Sequence, residues 1–135
     1  MDKLTIVKVS IIIPCYNEEL YISACLESFI NGSLPKEQLE ILVVDGGSTD
    51  TTRDLVFQFQ EKYPQQILWI ENSRQKTPFA LNLGIQKASH PLILIAGAHA
   101  VYPADYLSRL IELIQVPGID VIGGAIETRV KNNTP

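Results

Sequence analysis

Short runs of apolar, largely β-branched residues alternate along this chain with segments whose apolar residues recur every three or four positions. The apolar runs are Val9 to Pro14, Glu40 to Asp45 ("EILVVD"), Ile67 to Glu71 ("ILWIE") and Leu92 to Ala96, and Val121 to Ile126 is a fifth strand-like stretch. Between them lie helical patterns. Ile22, Cys25, Leu26 and Phe29 form the first, stopped by Asn31-Gly32, and Thr49 to Tyr63 presents Leu55, Val56 and Phe59 on one face. Thr77-Pro78 reads as a helix start, with Leu81, Ile85 and Ala88 on the buried side, and Ser48 or Thr49 reads as a cap for the helix before it. A last helix begins at Pro103, spaces Leu107, Leu110, Ile111 and Ile114 along one face, and ends at Pro117-Gly118. Strand and helix blocks in strict alternation imply parallel strands joined by right-handed crossovers. Runs apolar on both faces are what helix-covered strands require. The expected fold is therefore α/β: an open, mostly parallel, Rossmann-like sheet flanked by helices.

Length and charge narrow the partners. A chain of 135 residues with 46% apolar and 19% charged residues suits one globular domain, expected to span residues 1–135. A net charge of −4 is the wrong sign for a nucleic-acid binder, which carries a basic stripe. No stretch reaches the about 18 apolar residues a membrane span needs, and the N-terminus lacks a secretory pattern. The two cysteines, Cys15 and Cys25, lack metal-site spacing and read as buried thiols of a cytoplasmic protein. The polar ending "TRVKNNTP", directly after an apolar segment, reads as a cut within a longer protein.

Ligands of open α/β sheets bind beyond the carboxyl ends of the strands. The residues delivered there are Tyr16, Asn17 and Glu18 from the first strand, and Asp45, Gly46, Gly47 and Ser48 from the second. The third delivers Asn72, Ser73, Arg74 and Lys76, and the fourth Gly97, Ala98 and His99. Acid, amide, hydroxyl and cationic groups on one edge suit a ligand with a sugar, a base and phosphates. The glycines of "DGGSTD" serve either close backbone approach to such a ligand or a tight strand-to-helix turn without one. Neither the GxxxxGK nor the GxGxxG pattern occurs, which removes the main support for ATPase and dehydrogenase readings.

Together, "VSIIIPCYNEE" (Val9 to Glu19), "ILVVDGGSTDTT" (Ile41 to Thr52) and "ALNLGI" (Ala80 to Ile85) resemble the family 2 glycosyltransferases of the GT-A fold. "LILIAGAHAVYPADYL" and "VIGGAIETR" are similar to the exopolysaccharide, succinoglycan-building subgroup. The resemblance covers Val9 to about Arg129 and concerns the donor-binding half of such an enzyme. It implies a nucleotide-sugar donor, commonly UDP-linked, with Pro14, Tyr16, Asn17, Glu18 and Asp45 around the base and ribose. Gly46, Gly47 and Ser48 belong to the same edge; Gly46 stands where the family often keeps a second acid. Arg74 and Lys76 fall where cations approach the diphosphate, and stay open as solvated loop residues. Asn82 faces either the pocket or a neighbouring loop.

The fourth strand departs from the family. Its usual Asp-x-Asp, which holds ribose and a divalent metal, reads Gly97-Ala98-His99. A neutral imidazole at position 99 ligates Mn²⁺ more readily than Mg²⁺, or bonds a phosphate directly, or is an ordinary loop residue. His90, before Pro91, reads as a turn residue at the other end of that strand. The family's acceptor-activating base lies far downstream; only 36 residues follow His99, and Glu127 does not stand in that motif. No catalytic residue is therefore assigned. The expected parent is an inverting transferase of polysaccharide synthesis, taking a saccharide or lipid-linked acceptor at the inner face of the membrane, its separated donor half inactive and able to form a homo-oligomer. The competing reading is a non-catalytic nucleotide-binding or scaffold domain. A nucleotidyltransferase ranks last, because "IIIPCYNEE" lacks a glycine-rich basic signature.

Overall fold

The structure, a computed structural model, describes residues 7–119. The strand expected at Val121–Ile126, and Glu127, lie outside the described residues. Within them, four strands alternate with four α-helices: β1 (Val9–Cys15), α1 (Ile22–Ile30), β2 (Leu39–Asp45), α2 (Thr52–Lys62), β3 (Ile67–Glu71), α3 (Thr77–Lys87), β4 (Leu92–Ile95) and α4 (Tyr106–Ile114). A short 3₁₀ turn, Lys36–Gln38, leads into β2. The strands are parallel, in the order β3-β2-β1-β4, so the α/β expectation holds. Val9 lies opposite both Leu39 and Leu92, and Ile41 lies opposite Ile67.

Period-two alternation divides β1 and β2 between two cores. Ile11, Ile13, Ile41 and Val43 face α1, α2 and α4 through Cys25, Leu26, Phe29, Val56 and Leu107. Ile12, Leu42, Val44 and Ile70 face α3 through Ala80. Both faces are covered, which is why β1 and β2 read as continuous apolar runs.

Four sequence expectations need correction. Helix α2 starts at Thr52 rather than Thr49, and neither Ser48 nor Thr49 caps it: Asp50 Oδ1 accepts from the Thr52 amide at 2.9 Å and from its hydroxyl at 2.6 Å. Helix α3 is preceded by Lys76 in extended geometry, so Thr77 is inside the helix and not its cap. It buries Ala80 and Gly84, whereas Ile85 is 51% exposed. Helix α4 begins at Tyr106, after a turn in which the Tyr106 amide donates to the Pro103 carbonyl at 3.0 Å. Strand β4 is only half-buried although all its residues are apolar, because it is the outer strand of the described sheet.

A polar tie at the amino ends of the strands anchors β4. Ser10 donates from Oγ to Glu40 Oε2 at 2.6 Å, the Ser89 amide donates to the same oxygen, and the His90 amide donates to Ser10 Oγ at 3.1 Å. Ser10 and Glu40 are buried, so these bonds satisfy groups that water cannot reach. His90 is thus a turn residue at the end of the sheet remote from the strands' carboxyl ends.

Gly84 sets the distance between α3 and the sheet. A Cβ there would lie 2.5 Å from Ile12 Cγ2 and 2.9 Å from its Cγ1. Alanine is favoured over glycine in a helix by about 1 kcal/mol, but overpacking a fully buried branched side chain costs about 1–3 kcal/mol. Gly84→Ala is expected to lower the urea midpoint, and Ile12→Ala/Gly84→Ala to lose less stability than the two single changes summed.

Candidate functional site

The strand order places one crevice. The chain moves outward from β1 through β2 to β3, then returns to the other side of β1 to form β4. The switch point of the sheet therefore lies between the carboxyl ends of β1 and β4, where open α/β sheets take their ligands. Tyr16 to Glu18 and Gly97 to His99 meet there.

The loops after β1 and β2 hold each other. Asn17 sits at φ +51°, and its amide donates to Ser48 Oγ at 2.7 Å. Its side-chain oxygen accepts from the amides of Thr49 at 2.7 Å and Asp50 at 3.3 Å. The Glu18 amide donates to Thr52 Oγ1 at 2.8 Å, and Glu19 Oε1 accepts from the Thr51 amide at 3.0 Å and hydroxyl at 2.7 Å. These bonds explain the late start of α2: the residues expected to open the helix are held by β1's loop.

Asp45 is buried and turned onto its own loop. Its Oδ2 accepts from the amides of Gly47 at 2.9 Å and Ser48 at 2.7 Å, and Oδ1 accepts from the Ser48 hydroxyl. Of the two glycines, Gly47 has a positive φ of 94° and Gly46 does not. The "DGGS" motif is at minimum a tight turn built on a carboxylate.

Beyond β3, buried Asn72 shapes the next loop. Its amide donates to the Asp45 carbonyl at 2.8 Å, its Nδ2 to the Lys76 carbonyl at 3.0 Å, and its Oδ1 accepts from the Arg74 amide at 3.2 Å. Arg74 and Lys76 are exposed, with the Arg74 guanidinium 4.5 Å from the centre of the Phe79 ring. Asn82 is exposed on α3. Pro14 is in β1, and Tyr16 is 55% exposed beside it.

At the switch point, His99 Nε2 lies 3.3 Å from Glu18 Oε1. The histidine side chain is 68% exposed and the glutamate only 15%. Burial pushes the Glu18 carboxyl above its ordinary range; His99 draws it back and Asp50 adds to the rise. The Tyr21 ring lies 4.7 Å from the His99 ring, inclined at 33°. Tyr21 is not legible as a site residue in the sequence, because it precedes α1 as one more aromatic residue beside a polar loop. Gly97 donates its amide to Tyr102 Oη at 3.0 Å, and nothing lies within 4 Å of where its Cβ would be. Among the described residues no group of three or more His, Cys, Asp or Glu side chains is placed to hold a metal ion. The crevice is separate from a hollow of about 420 Å³ lined by Asp54, Phe57, Gln58, Gln60 and Glu61, all on α2.

With this geometry in place, similarity to known proteins is decisive. The family model for glycosyl transferase family 2 matches residues 10–135. The chain belongs to that family. It is 40% identical over 130 residues to a dolichyl N-acetyl-α-D-glucosaminyl phosphate 3-β-D-2,3-diacetamido-2,3-dideoxy-β-D-glucuronosyltransferase of Methanococcus voltae, covering 92% of this chain and 40% of the relative. It is 32% identical over 129 residues to the succinoglycan biosynthesis protein ExoA of Rhizobium meliloti, covering 94% and 38%. The chain thus spans about two-fifths of the length of these curated relatives, and less of several others it matches. Among solved structures, a mannosyltransferase from Pyrobaculum calidifontis in complex with GDP-Man and Mn²⁺ superposes with a TM-score of 0.76 at 31% identity, covering 82% of this chain and 33% of that one. TarS of S. aureus superposes at 0.73 with 23% identity, over 87% of this chain and 39% of that one, which supports the fold alone. The resemblance drawn from these motifs, including that to the succinoglycan subgroup, is borne out.

Two outcomes are expected of this glycosyl transferase domain. Asp45→Ala leaves two amides and a hydroxyl without their charged acceptor and is expected to cost about 2–4 kcal/mol of stability in urea unfolding without any ligand. Burial pushes the Cys25 thiol up to about 12 and raises Cys15 as well. Both thiols are expected to stay neutral and silent toward a disulfide reagent at pH 8 until the protein is unfolded.

Proposed function

We propose that this domain binds the nucleotide-sugar donor, UDP-linked in the first instance, of an inverting glycosyltransferase of polysaccharide synthesis. The observation that carries the reading is the convergence of the β1 and β4 ends, with Glu18 and His99 in contact, at the sheet's switch point in a chain of this family. Tyr16 offers an exposed ring beside β1 for a base. Arg74 and Lys76 offer exposed cations for diphosphate oxygens. Pro14, Asn17, Asp45, Gly46, Gly47, Ser48 and Gly97 shape the edge; Asn17 and Asp45 act by holding loops rather than by free side-chain groups. Asn82 is the least supported donor contact, since it is exposed mid-helix with no tie to the strand ends.

A divalent ion in such a site is shared with the donor's diphosphate, so one or two protein donors suffice. The exposed imidazole of His99 fits Mn²⁺ better than Mg²⁺, because the nitrogen donor suits a transition metal. When bound, the ion would neutralise charge on the departing nucleoside diphosphate. The acceptor-deprotonating carboxylate is assigned outside the described residues: Asp45 and Asp50 have both oxygens, and Glu19 its Oε1, engaged in loop hydrogen bonds. The acceptor, a saccharide or lipid-linked saccharide, and attachment to the inner face of a membrane belong to this same proposal. Among the described residues no helix is long and apolar enough to cross a membrane.

Calorimetric titration of UDP and GDP, with Mn²⁺, with Mg²⁺ and with no metal, tests it. The expected result is binding at least tenfold tighter with Mn²⁺ than with Mg²⁺, the Mn²⁺ gain vanishing in His99→Ala. Absence of nucleotide binding under every condition refutes the donor-binding reading and leaves a scaffold domain.

A further inference from the structure

Position 97 carries no carboxylate, yet the structure brings one to the same crevice from another strand. Glu18 lies just past β1, its backbone fixed by the hydrogen bond its amide donates to Thr52 Oγ1 at 2.8 Å, and its Oε1 lies 3.3 Å from His99 Nε2. Two ligands at right angles on one ion, each about 2.1 Å from it, stand about 3 Å apart. The Glu18–His99 separation is close to that value. Apart from His99, no described cation pairs with Glu18: the other ion pairs join Arg53 to Glu71 and Arg109 to Asp105. The Glu18 carboxylate is thus largely buried, aimed at the crevice and, among the described residues, balanced only by an imidazole.

We propose that Glu18 supplies the metal-site carboxylate that Gly97 does not, so that Glu18 and His99 form a two-donor oxygen–nitrogen site for Mn²⁺, completed by the diphosphate. The assignment rests on the donor-binding reading above and adds one ligand to it. Three features favour this pair. The two residues flank the switch point from both sides, so an ion between them would face the phosphates of any donor lying along the strand ends. The Tyr21 ring at 4.7 Å limits where the His99 ring can turn, which keeps its nitrogen toward Glu18. A Cβ on exposed Gly97 would meet no atom within 4 Å, so the missing carboxylate leaves no packing defect for a neighbour to fill. That space also makes position 97 usable for a restoring substitution.

The test uses the full chain with Mn²⁺ and UDP, following the free aqueous Mn²⁺ signal by electron paramagnetic resonance and folding by circular dichroism. Glu18→Gln keeps a side-chain oxygen able to accept from His99 but removes the charge. It is expected to weaken Mn²⁺ binding in the presence of UDP at least tenfold while His99→Ala does the same. Adding Gly97→Asp to Glu18→Gln is expected to recover most of the loss, since the introduced carboxylate would meet no packed atom and stands two residues from His99. Glu18→Gln binding Mn²⁺ as the parent does, with His99→Ala still impaired, overturns the assignment of Glu18 and leaves the donor-binding reading standing. Loss in Glu18→Gln with no recovery on adding Gly97→Asp also overturns it, pointing to Glu18 as a residue that only orients His99. No Mn²⁺ binding by the parent chain, with or without UDP, overturns both.

Discussion

Strand β1 is the constraint on which the other elements depend. It pairs with β2 along one edge and β4 along the other, and its side chains divide between both cores. Every helix covers a face that β1 helps to form, and both halves of the candidate crevice are measured from its carboxyl end. Gly84 and Ile12 show how tight this arrangement is: α3 approaches β1 so closely that a methyl group has no room. Such an approach is a backbone property, and only glycine permits it.

The polar residues at the strand ends fall into two groups. Asn17, Asp45, Glu19, Asp50 and Asn72 commit their side-chain groups to neighbouring amides and hydroxyls and, for Asn72, also to a carbonyl, which makes three loops into one rigid edge. Tyr16, Arg74, Lys76 and His99 remain exposed on that edge. A ligand would meet the second set, held in place by the first. This division matters for catalysis in general, because preorganised groups lose little freedom when charge develops beside them.

Much of the fold is legible along the chain. The boundaries of β3 coincide with the apolar run Ile67–Glu71, and β1 and β2 differ from their runs by a single residue at one end. The face of α3 is not legible, since Gly84 carries no hydrophobic signal and Ile85 does, yet the glycine is buried and the isoleucine half-exposed. The start of α2 is hidden for a different reason: hydrogen bonds from Asn17 and Glu19, residues of a distant loop, hold Thr49 to Thr51 out of the helix. The site residues are legible because they stand immediately past each apolar run, and the motifs identify the family. Motifs do not distinguish a residue that builds the edge from one that faces it.

The α/β class, the order of elements and the set of polar groups at one edge are written along the chain, because side-chain periodicity and turn chemistry act over a few residues and leave their mark locally. Three-dimensional packing settles that Glu18 and His99 touch, that Asp45 turns onto its own loop, and that no atom crowds a Cβ at Gly97. The Glu18–His99 contact depends on β4 returning to the far side of β1, a choice of neighbour made by packing of whole faces. No short stretch of residues encodes it.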